Sequence, residues 1–162
     1  TLALCGPLEI TDPDQTQALA LSGFLHDIGK ALLPDELLHK SGKLSTSEWA
    51  LMRQHSLLGY NLLSGINGMP TVVAEAARSH HERIDGQGYP DGLRGEEIPF
   101  AARLAAVVDV FNALTTDTAF RKRMTSFEAI TVMRDQMSGQ FDTDMLKALI
   151  HTLREHSRAA AD

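Results

Sequence analysis

An acid in the middle of an apolar helix constrains this chain more than any other feature. It is Asp109, within Ala106-Val107-Val108-Asp109-Val110-Phe111. A carboxylate on such a face is costly to bury unless it is paired or bound to a metal. The fold must therefore bring suitable partners to Asp109. Candidates sit on the other predicted helices. His26-Asp27 closes the first full helix, His55 lies within the next long one, and His80-His81 closes the third. Four helices thus each carry an imidazole or a carboxylate toward one place. Such donors suit iron, manganese, nickel or zinc better than calcium or magnesium. No thiolate is offered, which argues against a structural zinc finger.

The stretch His80-His81-Glu82-Arg83-Ile84-Asp85-Gly86-Gln87-Gly88-Tyr89-Pro90 narrows the reading further. Neighbouring side chains on a helix point about 100° apart. Adjacent histidines therefore suit a site with more than one metal, or a helix end aimed at the metals. Gly86 and Gly88 allow positive φ and close approach of backbone to a ligand, and Pro90 stiffens the exit.

The rest of the chain reads as helices. Asp12 is an N-cap candidate with Pro13 at the first helical position, and the helix is expected to reach about Ile28, where Gly29 ends it. Ala18, Leu21, Leu25 and Ile28 form its apolar stripe, widened by Phe24. Residues 34–39 make a short helix. Ser45 with Glu48 has the capping-box spacing, opening a helix to about Ser64 with Trp49, Met52, Leu58, Leu62 and Leu63 in the core and Tyr60 at core or rim. Further helices are expected over 72–81, 99–115, 126–137 with Ser126 as cap, and 142–156. Residues 83–98 form a long loop with a helical turn after Leu93. Thr1 to Cys5 reads as the end of a helix. His39, His151 and His156 match no pattern and are expected to face solvent. β-branched residues are scattered and no hairpin signal separates apolar runs. The class is all-α.

Composition narrows the function classes. The 162 residues, 43% hydrophobic, suffice for one domain with a sizeable core. The formal net charge of −6 argues against broad nucleic-acid or membrane binding, yet permits a small phosphate substrate where metal ions supply positive charge locally. The single cysteine, Cys5, points to a reducing, cytoplasmic setting. No apolar run reaches the roughly 18 residues of a membrane span. A chain that starts at Thr1 reads as a fragment.

His26-Asp27-Ile28-Gly29-Lys30 resembles the HD signature of metal-dependent phosphohydrolases. His80-His81-Glu82, Asp85-Gly86, Gly88-Tyr89-Pro90, Gly92-Leu93 and Gly95 resemble the extended signature of the HD-GYP family, as does His55 with Gly59. The likeness runs from about Leu21 to Met124. It implies an HD-type helical bundle of about six or seven helices with a long GYP loop. It also implies a phosphodiesterase that opens cyclic di-GMP, or a related cyclic dinucleotide, to linear pGpG or to GMP. Metal ligands would be His26, Asp27, His55, His80, His81 and Asp109. They would hold two or three divalent ions, iron first, with manganese, nickel or zinc as alternatives. Asp27 would bridge two of them and Lys30 would face the scissile phosphate. Glu82 and Asp85 would orient ligands and loop. Gly86, Gly88 and Pro90 would shape the loop, and Arg121, Lys122, Asn112 and Tyr89 would contact substrate. The family links the GYP loop to partner binding, which gives GGDEF-type proteins as candidate partners alongside a homodimer, and its members often carry a receiver or sensory domain upstream.

Three departures temper the likeness. A further family histidine would fall just before Thr1. Asn112 stands where the family usually has an acid. Thr118-Ala119 replaces Arg-Pro. These favour a second reading: a catalytically weak module that senses a nucleotide or docks a partner.

Overall fold

Residues 1–117 and 122–159 are described by the computed structural model. Among them every regular element is helical and no strand occurs. A 3-10 turn, Leu2–Leu4, precedes α1 (Pro13–Leu25). Then come a second 3-10 turn (Ile28–Leu32), α2 (Asp35–Leu38), α3 (Thr46–Met52), α4 (His55–Ser64) and α5 (Thr71–Ser79). A long loop holding the turn Gly95–Glu97 leads to α6 (Phe100–Thr115), α7 (Ser126–Thr131) with a π-helical continuation Val132–Gln136, and α8 (Thr143–Ala159).

Local chemistry sets most of these boundaries. Asp12 caps α1, its carboxylate accepting the Gln15 N–H at 3.2 Å, with Pro13 at the first position. Ser45 and Glu48 form the expected capping box at α3. Thr125 with Glu128 forms another at α7, so Thr125, not Ser126, is the cap there. The expected single helix over 45–64 is instead two, interrupted at Arg53-Gln54. α1 likewise stops at Leu25 rather than Ile28, because His26-Asp27 turns away into the 3-10 segment.

α5 is the hub. It packs against α1, α4 and α6, and the residues it buries are small: Ala74, Ala76, Ala77 and Ser79, with Val73. Small side chains let three helices approach one closely. The larger apolar cluster joins Leu4, Leu19, Leu104, Val107, Leu114, Met133, Met145 and Leu149, with Ala76 of α5. A smaller one joins Leu63, Val73, Ala74 and Ala77 with Leu21, Leu25, Ile28 and Tyr60. Phe24, Trp49 and Leu62 are not core: they are 83%, 50% and 42% exposed. Their positions face outward because no described element covers those faces of α1, α3 and α4.

Gly29 fixes the approach of the second 3-10 turn to α4. A Cβ there would overlap the His55 carbonyl oxygen, a backbone atom that cannot rotate aside. The substitution Gly29→Ala is therefore expected to cost about 1–3 kcal/mol, read as a lowered thermal midpoint. Phe24→Ser, on the exposed face, is expected to stay within about 0.5 kcal/mol of the parent. Equal midpoints for Gly29→Ala and the parent would refute the close contact.

Candidate metal centre

The ends of α1, α3 and α5 each leave backbone carbonyls without a helical partner. In each case an imidazole takes one. His26 Nδ1 lies 2.9 Å from the Gly23 oxygen, His55 Nδ1 2.7 Å from Met52, and His80 Nδ1 2.9 Å from Ala77. A carbonyl oxygen only accepts, so Nδ1 carries the proton and donates in all three. The Nε2 atoms are left with lone pairs, and all three point into one space.

Asp27 stands in that space. Its Oδ1 lies 3.4 Å from His55 Nε2 and 3.6 Å from His80 Nε2. Its Oδ2 lies 3.5 Å from His26 Nε2 and accepts a bond from Lys30 Nζ at 2.6 Å. Asp109 Oδ1 approaches His26 Nε2 from α6 at 3.7 Å. His81 Nε2 lies 3.2 Å from His55 Nε2, which is itself 3.4 Å from His80 Nε2. The donors fall into two groups that share Asp27: Asp27 with His55, His80 and His81, and Asp27 with His26 and Asp109. All six expected donors are thus brought together.

The arrangement fits divalent metal ions. His26 Nε2 and Asp27 Oδ1 are buried and have no hydrogen-bond partner, and such groups normally have one. His55 and His80 both donate through Nδ1, so in their neutral forms their close Nε2 atoms face each other lone pair to lone pair. A cation between them removes that repulsion. Protonation would meet resistance. Burial pulls His55 below its ordinary pKa. Burial, then the neighbouring His80 and His55, brings His81 down to about 2. Burial would raise the carboxyls, but the Lys30 ammonium holds Asp27 well below the usual range, and the neighbouring His26 lowers Asp109. His26 alone moves upward, since Asp109 and Asp27 outweigh the effect of its burial.

Glu82 supports this centre from behind. It is buried, and its carboxylate accepts the backbone N–H groups of Asp91 (2.7 Å), Gly92 (3.1 Å) and Leu93 (3.1 Å). One anion thereby pins the loop to the residue next to His81. Asp85 orders the loop locally, accepting the Gln87 N–H at 2.9 Å. Gly86 has φ +77°, and a Cβ on Gly88 would overlap the backbone of Glu82. The Tyr89-Pro90 bond is cis. The Tyr89 ring stacks on His81, centroids 4.6 Å apart and planes 25° apart.

Other expected residues are less engaged. Asn112 is exposed and shares a 300 Å³ cavity with His26, Asp27 and Asp109. Lys122 is exposed. Arg121 and the Thr118-Ala119 pair lie outside the described residues. His39, His151 and His156 face solvent as expected, and Cys5 is buried in the apolar core, not at the centre. Sequence reading missed Arg53, whose guanidinium lies over the Tyr89 ring, 4.9 Å from its centroid. No local signal in the sequence flags it, because the contact depends on the interruption between α3 and α4.

Comparisons with known proteins agree with the fold. Residues 2–145 match the family model described as HD domain. The chain is 41% identical over 149 residues to a cyclic di-GMP phosphodiesterase of Pseudomonas aeruginosa, covering 92% of this chain and 36% of that one. It is 39% identical over 144 residues to a 3'3'-cGAMP-specific phosphodiesterase of Vibrio cholerae, covering 88% and 33%. It therefore spans about a third of the length of these relatives. Among solved structures, an HD-GYP protein of Bdellovibrio bacteriovorus superposes with a TM-score of 0.77 at 27% identity, covering 94% of this chain and 48% of that one. No described helix is long and apolar enough to cross a membrane.

The pH dependence of the metal-free protein follows from the imidazoles. His55 and His81 have folded pKa values below their ordinary 6.5, so below that pH the unfolded chain binds protons that the folded chain refuses. Stability then falls as pH falls. Asp27 and Asp109 add to the fall below their ordinary 3.8. His26 opposes it: its contribution is complete below 6.5 and fades as pH rises through its higher folded value. Below 6.5 His26 is protonated in both states and adds no slope, so the depressed imidazoles set the direction there. In chelator the unfolding free energy is expected to fall between about pH 6.5 and pH 5, by up to about 1.4 kcal/mol per pH unit for each withheld proton, read as a lowered thermal midpoint. A flat or rising profile would contradict the buried, neutral assignment.

Proposed function

Because the chain belongs to the HD domain family, we propose that its centre is a divalent-metal phosphodiesterase site for a cyclic dinucleotide, cyclic di-GMP first. One observation carries the reading: two donor groups of imidazole and carboxylate share the single carboxylate of Asp27. The names of the relatives from Pseudomonas aeruginosa and Vibrio cholerae support the substrate class.

In this reading Asp27, His55, His80 and His81 would hold one cation, and His26, Asp27 and Asp109 a second. Iron is the first choice, then manganese, nickel or zinc, since the donors are imidazole and carboxylate without thiolate. When bound, such cations would neutralise charge on phosphoryl oxygens and lower the pKa of a water. The chain does the rest. The Nδ1–H bonds of His26, His55 and His80 keep each imidazole in the tautomer that offers Nε2. Glu82 holds the loop against the centre. Lys30 rests on Asp27 with its side chain 41% exposed, so its ammonium can turn to a substrate phosphate and oppose the charge that builds there. Asn112 would face the substrate, Arg121 and, less strongly, Lys122 would contact its phosphate, and Tyr89 would form the rim. The product would be linear pGpG, with GMP after a second cut.

Asn112 supports the weaker, sensing alternative. It presents an amide to the cavity beside His26, Asp27 and Asp109, where a carboxylate would add a ligand. Turnover of cyclic di-GMP by the metal-supplemented protein separates the two readings.

Two variants test the assignments. Asp27→Ala is expected to lose bound metal, measured by elemental analysis, and at least about 1,000-fold in turnover, since both donor groups lose their common member. A variant that keeps its full metal load would overturn the shared role. Lys30→Ala is expected to retain metal while turnover falls about 10- to 100-fold. Undiminished turnover would remove Lys30 from the reaction.

A further inference from the structure

We propose that Arg53 is a second anion contact of this site, taking the phosphate of a cyclic dinucleotide that is not being cut. The proposal rests on the phosphodiesterase reading above. A cyclic dinucleotide closes its ring through two phosphodiesters, each carrying a full negative charge. The donor cluster serves the diester under attack. The other extends beyond it and needs a cation of its own.

Most basic side chains around the centre are already engaged. Lys30 is on Asp27. Arg78 is held by Asp91 in a two-point pair, at 2.8 and 2.9 Å. Lys40 is held by Glu48. Arg83 is turned onto the backbone carbonyls of His80 and Glu82. Arg94 lies across Gly86, on the loop.

Arg53 is different. It is exposed, and no carboxylate among the described residues pairs with it. Its guanidinium carbon sits 4.9 Å from the Tyr89 centroid, and that ring lies 4.6 Å from His81. Tyr89 thus spans from a member of the donor cluster to an unpaired cation. A guanidinium held over an aromatic ring keeps its in-plane N–H donors available, and their fork matches two phosphate oxygens. The ring also restricts the long side chain beforehand, so less freedom is lost when the anion arrives. On one continuous helix Arg53 and His55 would point about 200° apart. The interruption after Met52 lets one short segment serve both the donor cluster and its rim.

The test compares two substrates on the metal-loaded protein, with metal content measured for each variant. Cyclic di-GMP has two diesters and bis(p-nitrophenyl) phosphate has one. Arg53→Gln is expected to raise the KM for cyclic di-GMP about 10- to 100-fold, the worth of a charge-assisted contact, with kcat within about threefold. Its kcat/KM should fall at least about tenfold more for cyclic di-GMP than for the single diester, and Arg53→Lys should recover only part, because an ammonium lacks the fork. Equal losses on both substrates would make Arg53 a structural support of Tyr89 and overturn the proposal, as would an unchanged KM. A parent protein that does not turn over cyclic di-GMP would sink the phosphodiesterase reading instead. Calorimetric titration with cyclic di-GMP would then decide on Arg53 alone: weaker binding by Arg53→Gln sustains the contact, while equal binding, or none by the parent, overturns it.

Discussion

Three imidazole N–H groups, each donating to a carbonyl at the end of a helix, are the bonds on which the centre depends. Helix ends always leave carbonyls in want of donors. Here Gly23, Met52 and Ala77 receive theirs from His26, His55 and His80. Each bond does two things at once. It closes a helix terminus, and it decides which nitrogen of the ring is left to bind something else. Fold and chemistry are thus set by the same atoms, and a ring flipped by 180° would spoil both.

Those bonds count only because the helix ends meet. α5 provides the meeting point through its small buried residues, with α1, α4 and α6 drawn in around it. Gly29 allows the turn after His26-Asp27 to lie on the start of α4. Burial then has an electrostatic effect. His55 and His80 are 1% and 0% exposed, so neither finds water for its free nitrogen. Asp27 is the carboxylate that faces both of them, which leaves a region of concentrated lone pairs. A divalent cation held among these donors would relieve that crowding.

Much of this was legible in the chain. The Asp12 and Ser45 caps are local events, decided by residues three apart, and they stand as read. The donor set could be read because His26-Asp27, His55 and His80-His81 fall on separate expected helices and Asp109 sits among valines. What failed depends on packing that no short window contains. Phe24, Trp49 and Leu62 look like core by spacing, but burial requires a neighbour, and none of the described elements lies over them. The break at Arg53-Gln54 carries no proline or glycine, so nothing local announces it. Its effect, a cation over Tyr89, joins residues 36 positions apart and is visible only in the folded chain. The role of Glu82 was half legible: an acid after two histidines suggested support, but its three loop amides are a property of the folded loop.

Asp27 belongs to both donor groups, and a shared ligand has a thermodynamic consequence. Occupying one group fixes the carboxylate's rotation and draws charge from the oxygen left for the other. Two bound cations would then not follow independent isotherms. Each would alter the other's affinity by the same factor, since coupling between sites is reciprocal. With two cations bound, the single carboxylate would make the centre a cooperative unit, sensitive to the supply of metal as much as to its identity.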